Sequence, residues 1–235
     1  MQIDDATTPQ EQPSPLDPPA GVEEPGLAAF VVTPDGSRAF GYDVLRDLAR
    51  GYSFAELVLL SLTGALPDED AGATFEAALF ALAAPTIAEA SVHAARLAQM
   101  TGATTSGIQA VAGVAGPERA RDLVARHVPL LEWLNAGAHG DPPEASRAQD
   151  DASARALGEL LPDPALTARV QGLALHAAAL CALHHVGLVD ASLLERAVHF
   201  AALPLTLAEA TAAPARDLSG YPLNLPEYRY VIDEI

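Results

Sequence analysis

Seven histidines, one cysteine and thirteen arginines are the side chains with which this 235-residue chain can do acid–base, metal or anion chemistry. His176 lies on an apolar stripe with Leu173 and Leu180, and His184 follows two turns on. An imidazole there can act as a general base, because its ordinary pKa lies near neutrality. The blander reading is a histidine packed in the core or at a subunit face. Cys181 and His185 stand at i and i+4, which can hold a metal, but no second ligand pair occurs at useful spacing, so no metal is expected. His184-His185 falls near a helix C-terminus, which favours a partly charged imidazole. Arg119-Ala120-Arg121 follows Gly116-Pro117, an order that reads as a helix start whose amides favour an anion. The alternative is a solvated pair on a helix face. His127 and His199 carry no motif, and no Gly-x-Ser-x-Gly marks a serine nucleophile.

The elements that must position these groups are helices. Half of the residues are hydrophobic, with Ala and Leu dominant and aromatics at 5%. Ala and Leu are strong helix formers, so the expected class is all-α. The formal charge is −18, with no lysine at all, a bias that GC-rich coding also produces. Such an acidic surface repels phosphate backbones and anionic lipid, which argues against nucleic-acid and membrane partners. A single cysteine allows no intrachain disulfide. No basic segment leads into an apolar run near the N-terminus, and no apolar stretch reaches bilayer length. A cytoplasmic location is therefore expected.

Residues 1–26 are Pro-rich and acidic with little to bury, and read as a disordered tail. Apolar runs flank Pro34-Asp35-Gly36, which predicts a β-hairpin. In "GYDVLRDLARGYSFAELVLLSLTGALP" (41–67) a turn-like Gly-Tyr-Asp leads into a helix that breaks at Gly51. Ser53 caps a second helix that stops at Gly64 and Pro67. Phe75, Ala78, Leu79 and Leu82 recur at helical spacing, and Ile87–Met100 reads as a helix ended by Thr101-Gly102. Gly107–Ala115 is small and apolar, and Leu123, His127, Leu130 and Leu134 form a further stripe. Residues 135–151 form the clearest interior loop. Helices are expected over Ser153–Leu161, Ala165–Val186, Ala191–Ala202 and Leu205–Ala213, followed by an extended aromatic end.

The 41–67 segment resembles the N-terminal signature of the citrate synthase and citryl-CoA lyase family. That signature runs through an Arg-Gly-Tyr-Asp turn, a short helix, a Ser-Phe-Glu-Glu-like helix start and a Gly-x-Leu-Pro stop; Phe40 stands in place of its Arg. "FALAAPTIAEASVHAARLAQMTGA" is similar, without gaps, to the family helix that carries Ala-Asp-His-Glu. "ALHAAALCALHHVGL" is similar to the helix that opens with Asn-Val-Asp, "AVHFAALPLTLAEA" to a late helix, and "LPEYRYV" to the tail of citryl-CoA lyases. The resemblance covers about residues 38–235 and is loose between 118 and 165.

The family makes or breaks a carbon–carbon bond between an acyl-CoA and a 2-oxo acid, with an Asp base, two histidines and carboxylate-binding arginines. The resemblance puts Pro85 and Thr86 at the Asp and His of Ala-Asp-His-Glu, leaving Thr86 as a substrate-side residue without the imidazole. It puts Arg119, within "GPERAR", at the enol-supporting His. Arginine cannot exchange a proton near neutrality, although its charge can stabilise an enolate. His176 takes the place of the base Asp, and Ala202 that of a carboxylate-binding Arg. "GAHGDPPEASRA" resembles the loop of the carbonyl-polarising His and its downstream Arg, which gives those roles to His139 and Arg147. His93 falls where the family has an apolar residue.

The resemblance thus implies a citrate-synthase-like fold with a reduced small domain. Residues 27–117 and 162–235 are expected to form the large domain, and 118–161 the small one. A catalytically impaired family member is expected, binding an acyl-CoA or carboxylate ligand or pairing with an active paralogue. The alternatives are an active enzyme on an altered substrate, with His139 and His176 as acid–base groups and Arg119 and Arg147 as anion clamps, or a helical scaffold without a ligand. No cofactor is expected beyond acyl-CoA as substrate or ligand. A homodimer is expected, since the helices over 78–116 are rich in Ala and Gly and the family's corresponding helices form its dimer interface.

Overall fold

The computed structural model describes residues 30–34, 36–84, 89–148 and 151–212. Thr86, the tail 1–26 and the aromatic end from Gly220 lie outside these residues. The chain divides into two compact units, one ending at Gly72 and one beginning at Ala73.

In the first unit, β1 (Phe30–Thr33) and β2 (Gly36–Ala39) pair antiparallel, with Phe30 opposite Ala39 and Thr33 opposite Gly36. This is the hairpin expected around Pro34. A further strand, β3 (Tyr42–Asp43), extends the sheet in the order β1-β2-β3, where the sequence had suggested only a turn. The loop between β2 and β3 is Phe40-Gly41, with φ of 48° and 89°. Two positive φ values are what a tight two-residue hairpin of type I′ requires. Phe40 meets that demand despite its bulk, and its ring stacks edge-on against Phe30 at 6.1 Å. It also packs on the core of Ala39, Leu48 and Leu60.

Asp43 then caps a π-helical turn, Val44–Leu48, by accepting from the amides of Leu45 (3.0 Å) and Arg46 (2.8 Å). Asp47 accepts in return from the Asp43 amide at 2.8 Å. The chain continues through α1 (Ala49–Gly51) to α2 (Phe54–Thr63). Ser53 and Glu56 close the capping box that the sequence suggested. Gly64 ends α2 in the left-handed conformation, φ 76°, which a residue without Cβ adopts freely.

The division between units falls within α3 (Glu69–Ala83). In the second unit α4 (Ala90–Met100), α5 (Thr105–Arg126) and α10 (Ala191–Ala212) pack together on Ala95, Ile108, Ala112 and Ala210. Small side chains allow this approach. At Gly116 a Cβ would lie 2.6 Å from the His199 ring, so only glycine fits where α10 crosses. α5 runs unbroken through Pro117, so the expected boundary at 117/118 falls inside a helix. α10 likewise continues through Pro204.

The remaining helices are α6 (Val128–Asn135), α7 (Ala152–Leu160), α8 (Pro164–Val170) and α9 (Leu175–His185), with a 3-10 turn at Glu144–Ser146. Residues 177–183 of α9 are all buried, which accounts for the apolar run seen in the sequence. Among the described residues no helix is long and apolar enough to cross a membrane. The helix expected over 165–186 is broken at Gln171–Ala174, where Gly172 turns the chain with φ 79°. Two ties hold this break: Ala148 donates to Gly172 O at 3.0 Å and Ala174 to Ser146 O at 2.9 Å.

Asp151 completes the arrangement. Its Oδ1 accepts from Ser153 and Ala154 at the start of α7, and its Oδ2 accepts from Leu175 at the start of α9, 2.9 Å away. One carboxylate therefore caps two helices. Loss of a capping side chain costs about 1 kcal/mol at an ordinary helix start. Asp151→Ala is expected to cost about 2 kcal/mol, more than Asp163→Ala at the single cap of α8. Urea denaturation of the two variants beside the parent checks this.

Candidate functional site

The break before α9 puts His176 in the first turn of a helix rather than in the middle of one. It opens onto a cavity of about 680 Å³. One wall is the start of α4, with Glu89 and Ala90. Another is a single face of α5, bearing Ala115, Glu118, Arg119, Asp122 and Arg126 at helical spacing. His176 closes it from α9. Arg119 and His176, 57 positions apart in the chain, are thus brought to one site.

Arg119 is the hub of that wall. Its Nε pairs with Glu89 Oε2, and its Nη2 donates to Glu89 Oε1 at 3.3 Å. The side chains are only 12% and 25% exposed, so the pair is largely shielded from solvent. Arg119 Nη1 is buried with no hydrogen-bond partner among the described residues. Glu89 occupies the N-cap position of α4, yet its side chain does not cap that helix. Arg126 pairs with Asp122 on the same face, and Glu118 lies 3.8 Å from Arg121. Three carboxylates thus face two guanidinium groups around the cavity. The expectation that amides near residues 116–121 would favour an anion is overturned. These residues lie deep within α5, where backbone N–H groups bond to the preceding turn.

His176 stays accessible to solvent at the rim. Its pKa is held below 6.5, first because partial burial disfavours the charged ring and then because Arg119 and His127 repel it. His127 itself is tied through Nδ1 to Leu123 O at 2.8 Å. A neutral imidazole at neutral pH can accept a proton, so His176 has the state a base needs.

His139 and Arg147 are not among the residues lining this cavity. His139 is exposed in the loop after α6. Its ring folds back on Gly137, and its carbonyl accepts from Trp133 Nε1 at 3.0 Å. Arg147 donates through Nε to Pro142 O at 2.7 Å and lies 3.4 Å from Asp141. Its guanidinium is thus engaged within its own loop. Cys181 is buried in α9, which pushes its thiol up to about 11, and His185 lies 3.6 Å from Asp163 rather than on the thiol. His184 meets Asn135 Oδ1 at 2.9 Å. A second cavity, of about 400 Å³ among α7, α8 and the 171–173 turn, contains none of the expected site residues. Sequence reasoning missed Glu89, which carried no signal beyond an acidic residue near a helix start.

The histidines give the fold a pH dependence with a definite sign. His176, His184 and His199 are all held below 6.5, burial being the first cause at each. The unfolded chain takes up their protons first, so their contribution is intact above 6.5 and declines as pH falls toward the folded values. Asp43 and Asp151 lie below 3.8, chiefly through the amides of Arg46 and Ala154, and extend the loss at lower pH. The melting temperature is expected to fall between about pH 7.5 and about pH 5, and His176→Gln should flatten part of that slope. Calorimetric scans of both proteins across this range measure it.

No known family matches the chain by sequence, and no curated protein matches it. In structure it is similar to citryl-CoA lyase from Hydrogenobacter thermophilus. The match has 18% identity and a TM-score of 0.61, and it covers 92% of this chain and 96% of the other. Nearly the whole of both chains therefore shares one architecture. The chain has the helical, citrate-synthase-like fold of that lyase, with a small antiparallel sheet at its N-terminal side.

Proposed function

We propose that the protein is a catalytically impaired relative of citrate synthase and citryl-CoA lyase. It binds an acyl-CoA or a small carboxylate in the His176 cavity, or pairs with an active paralogue. The observation that carries this reading is the Arg119–Glu89 pair. Arg119 stands where the sequence resemblance places a proton-cycling His, and a guanidinium keeps its proton throughout the accessible pH range. Its charge is moreover already neutralised by Glu89. Losing one well-placed acid–base group lowers the rate by ~10²–10⁴, and groups that act as a unit leave little behind when one is gone.

A second reading, an active enzyme on an altered substrate, is favoured by one observation. His176 sits at the cavity rim with its pKa below 6.5 and is a competent proton acceptor. A coupled assay of CoA release from acetyl-CoA plus oxaloacetate, and of citryl-CoA cleavage, separates the two. The expected result is no turnover in either direction, together with measurable binding of acetyl-CoA in a calorimetric titration. Turnover that His176→Ala abolishes would overturn impairment and establish the second reading.

The same reading includes a symmetric dimer, the commonest closed assembly. Phe80 on α3 and Val114 on α5 are 69% and 73% exposed, within the Ala- and Gly-rich helices expected to pair. Sedimentation at micromolar concentration should give twice the chain mass of 24.3 kDa; a monomer there would exclude this assembly.

A further inference from the structure

We propose that Glu89 is an internal ligand for Arg119, a built-in carboxylate that an incoming carboxylate must displace, and that it thereby sets the anion affinity of the cavity. The inference rests on the reading of the His176 cavity as the ligand site. Bidentate contact along the Nε and Nη2 edge is how a guanidinium best holds a carboxylate. Glu89 occupies that edge, with Nε paired to Oε2 and Nη2 to Oε1. It does to Arg119 what a substrate carboxylate would do. Nη1 is left buried without a hydrogen-bond partner among the described residues, so the guanidinium retains donor capacity that the pair does not use.

Charge and local structure agree with a displaceable role. With Glu118 and Asp122 on the same walls, an anion entering while Glu89 stays in place meets more carboxylates than guanidiniums. Moving Glu89 aside exchanges one carboxylate on Arg119 for another and relieves part of that repulsion. α4 does not rely on the Glu89 side chain for a cap, so displacement costs that helix no capping bond. The ligand class that this geometry selects is a small molecule with a carboxylate free to form a fork. A ligand bearing only dispersed negative charge gains less.

The experiment is a calorimetric titration of the full chain with citrate, comparing the parent, Glu89→Gln and Glu89→Gln/Arg119→Gln, with circular dichroism confirming each fold. Glu89→Gln is expected to bind citrate about tenfold more tightly than the parent, and the second substitution should erase the gain. Equal affinity in parent and folded Glu89→Gln, or a gain that survives removal of Arg119, overturns the proposal. If Glu89→Gln does not fold, Glu89→Asp takes its place. Its shorter carboxylate loosens the fork, and the expected gain is about threefold; no gain overturns the proposal. The acetyl-CoA titration of the parent judges the broader reading separately, since it uses no Glu89 variant.

Discussion

The ion pair between Glu89 and Arg119 fixes what the rest of the site can be. It joins the residue just before α4 to the middle of α5, 30 positions on, and both side chains are mostly shielded from water. Shielding two charges is costly, and the cost is offset only where geometry is good and the charges stay paired. Removing one partner strands the other, so the pair constrains where α4 begins relative to α5. Small residues make this possible. Ala95, Ala112 and Ala210 let the three long helices approach, and Gly116 admits the His199 ring within one turn of Arg119.

A second constraint works from the other wall. Asp151 caps α7 and α9 together, and the backbone tie between Ala174 and Ser146 fixes the break before Leu175. Together these place His176 on the first turn of α9, facing the α5 arginine. The chemistry at the cavity follows from both constraints. One neutral imidazole lies beside a guanidinium whose best edge is already filled. The imidazole is a group that can accept a proton, whereas the guanidinium keeps its own.

Local order was largely legible in the sequence. The hairpin around Pro34, the Ser53 capping box and the Gly64 stop each rest on side chains within a few residues of one another, and each appears where expected. Two breaks were misplaced for a physical reason. Pro117 and Pro204 read as interruptions because proline removes an amide donor, yet tertiary packing carries both helices through. The real break, at Gln171–Ala174, is marked in the sequence only by Gln171-Gly172 within an otherwise helical apolar pattern. The helical, citrate-synthase-like fold was legible through the resemblance of residues 41–67 and is matched by the structural similarity. The Glu89–Arg119 pair was not legible, since no local periodicity connects residues so far apart. His139 and Arg147 share a loop in the sequence, and neither lines the cavity that holds Arg119 and His176.

Whether Glu89 and Arg119 act as one coupled unit is measured most directly by a double-mutant cycle. Chemical denaturation of the parent, Glu89→Ala, Arg119→Ala and the double variant yields the coupling free energy. A shielded pair in direct contact predicts a favourable coupling of about 1–3 kcal/mol. Additive effects, with coupling indistinguishable from zero, would contradict it.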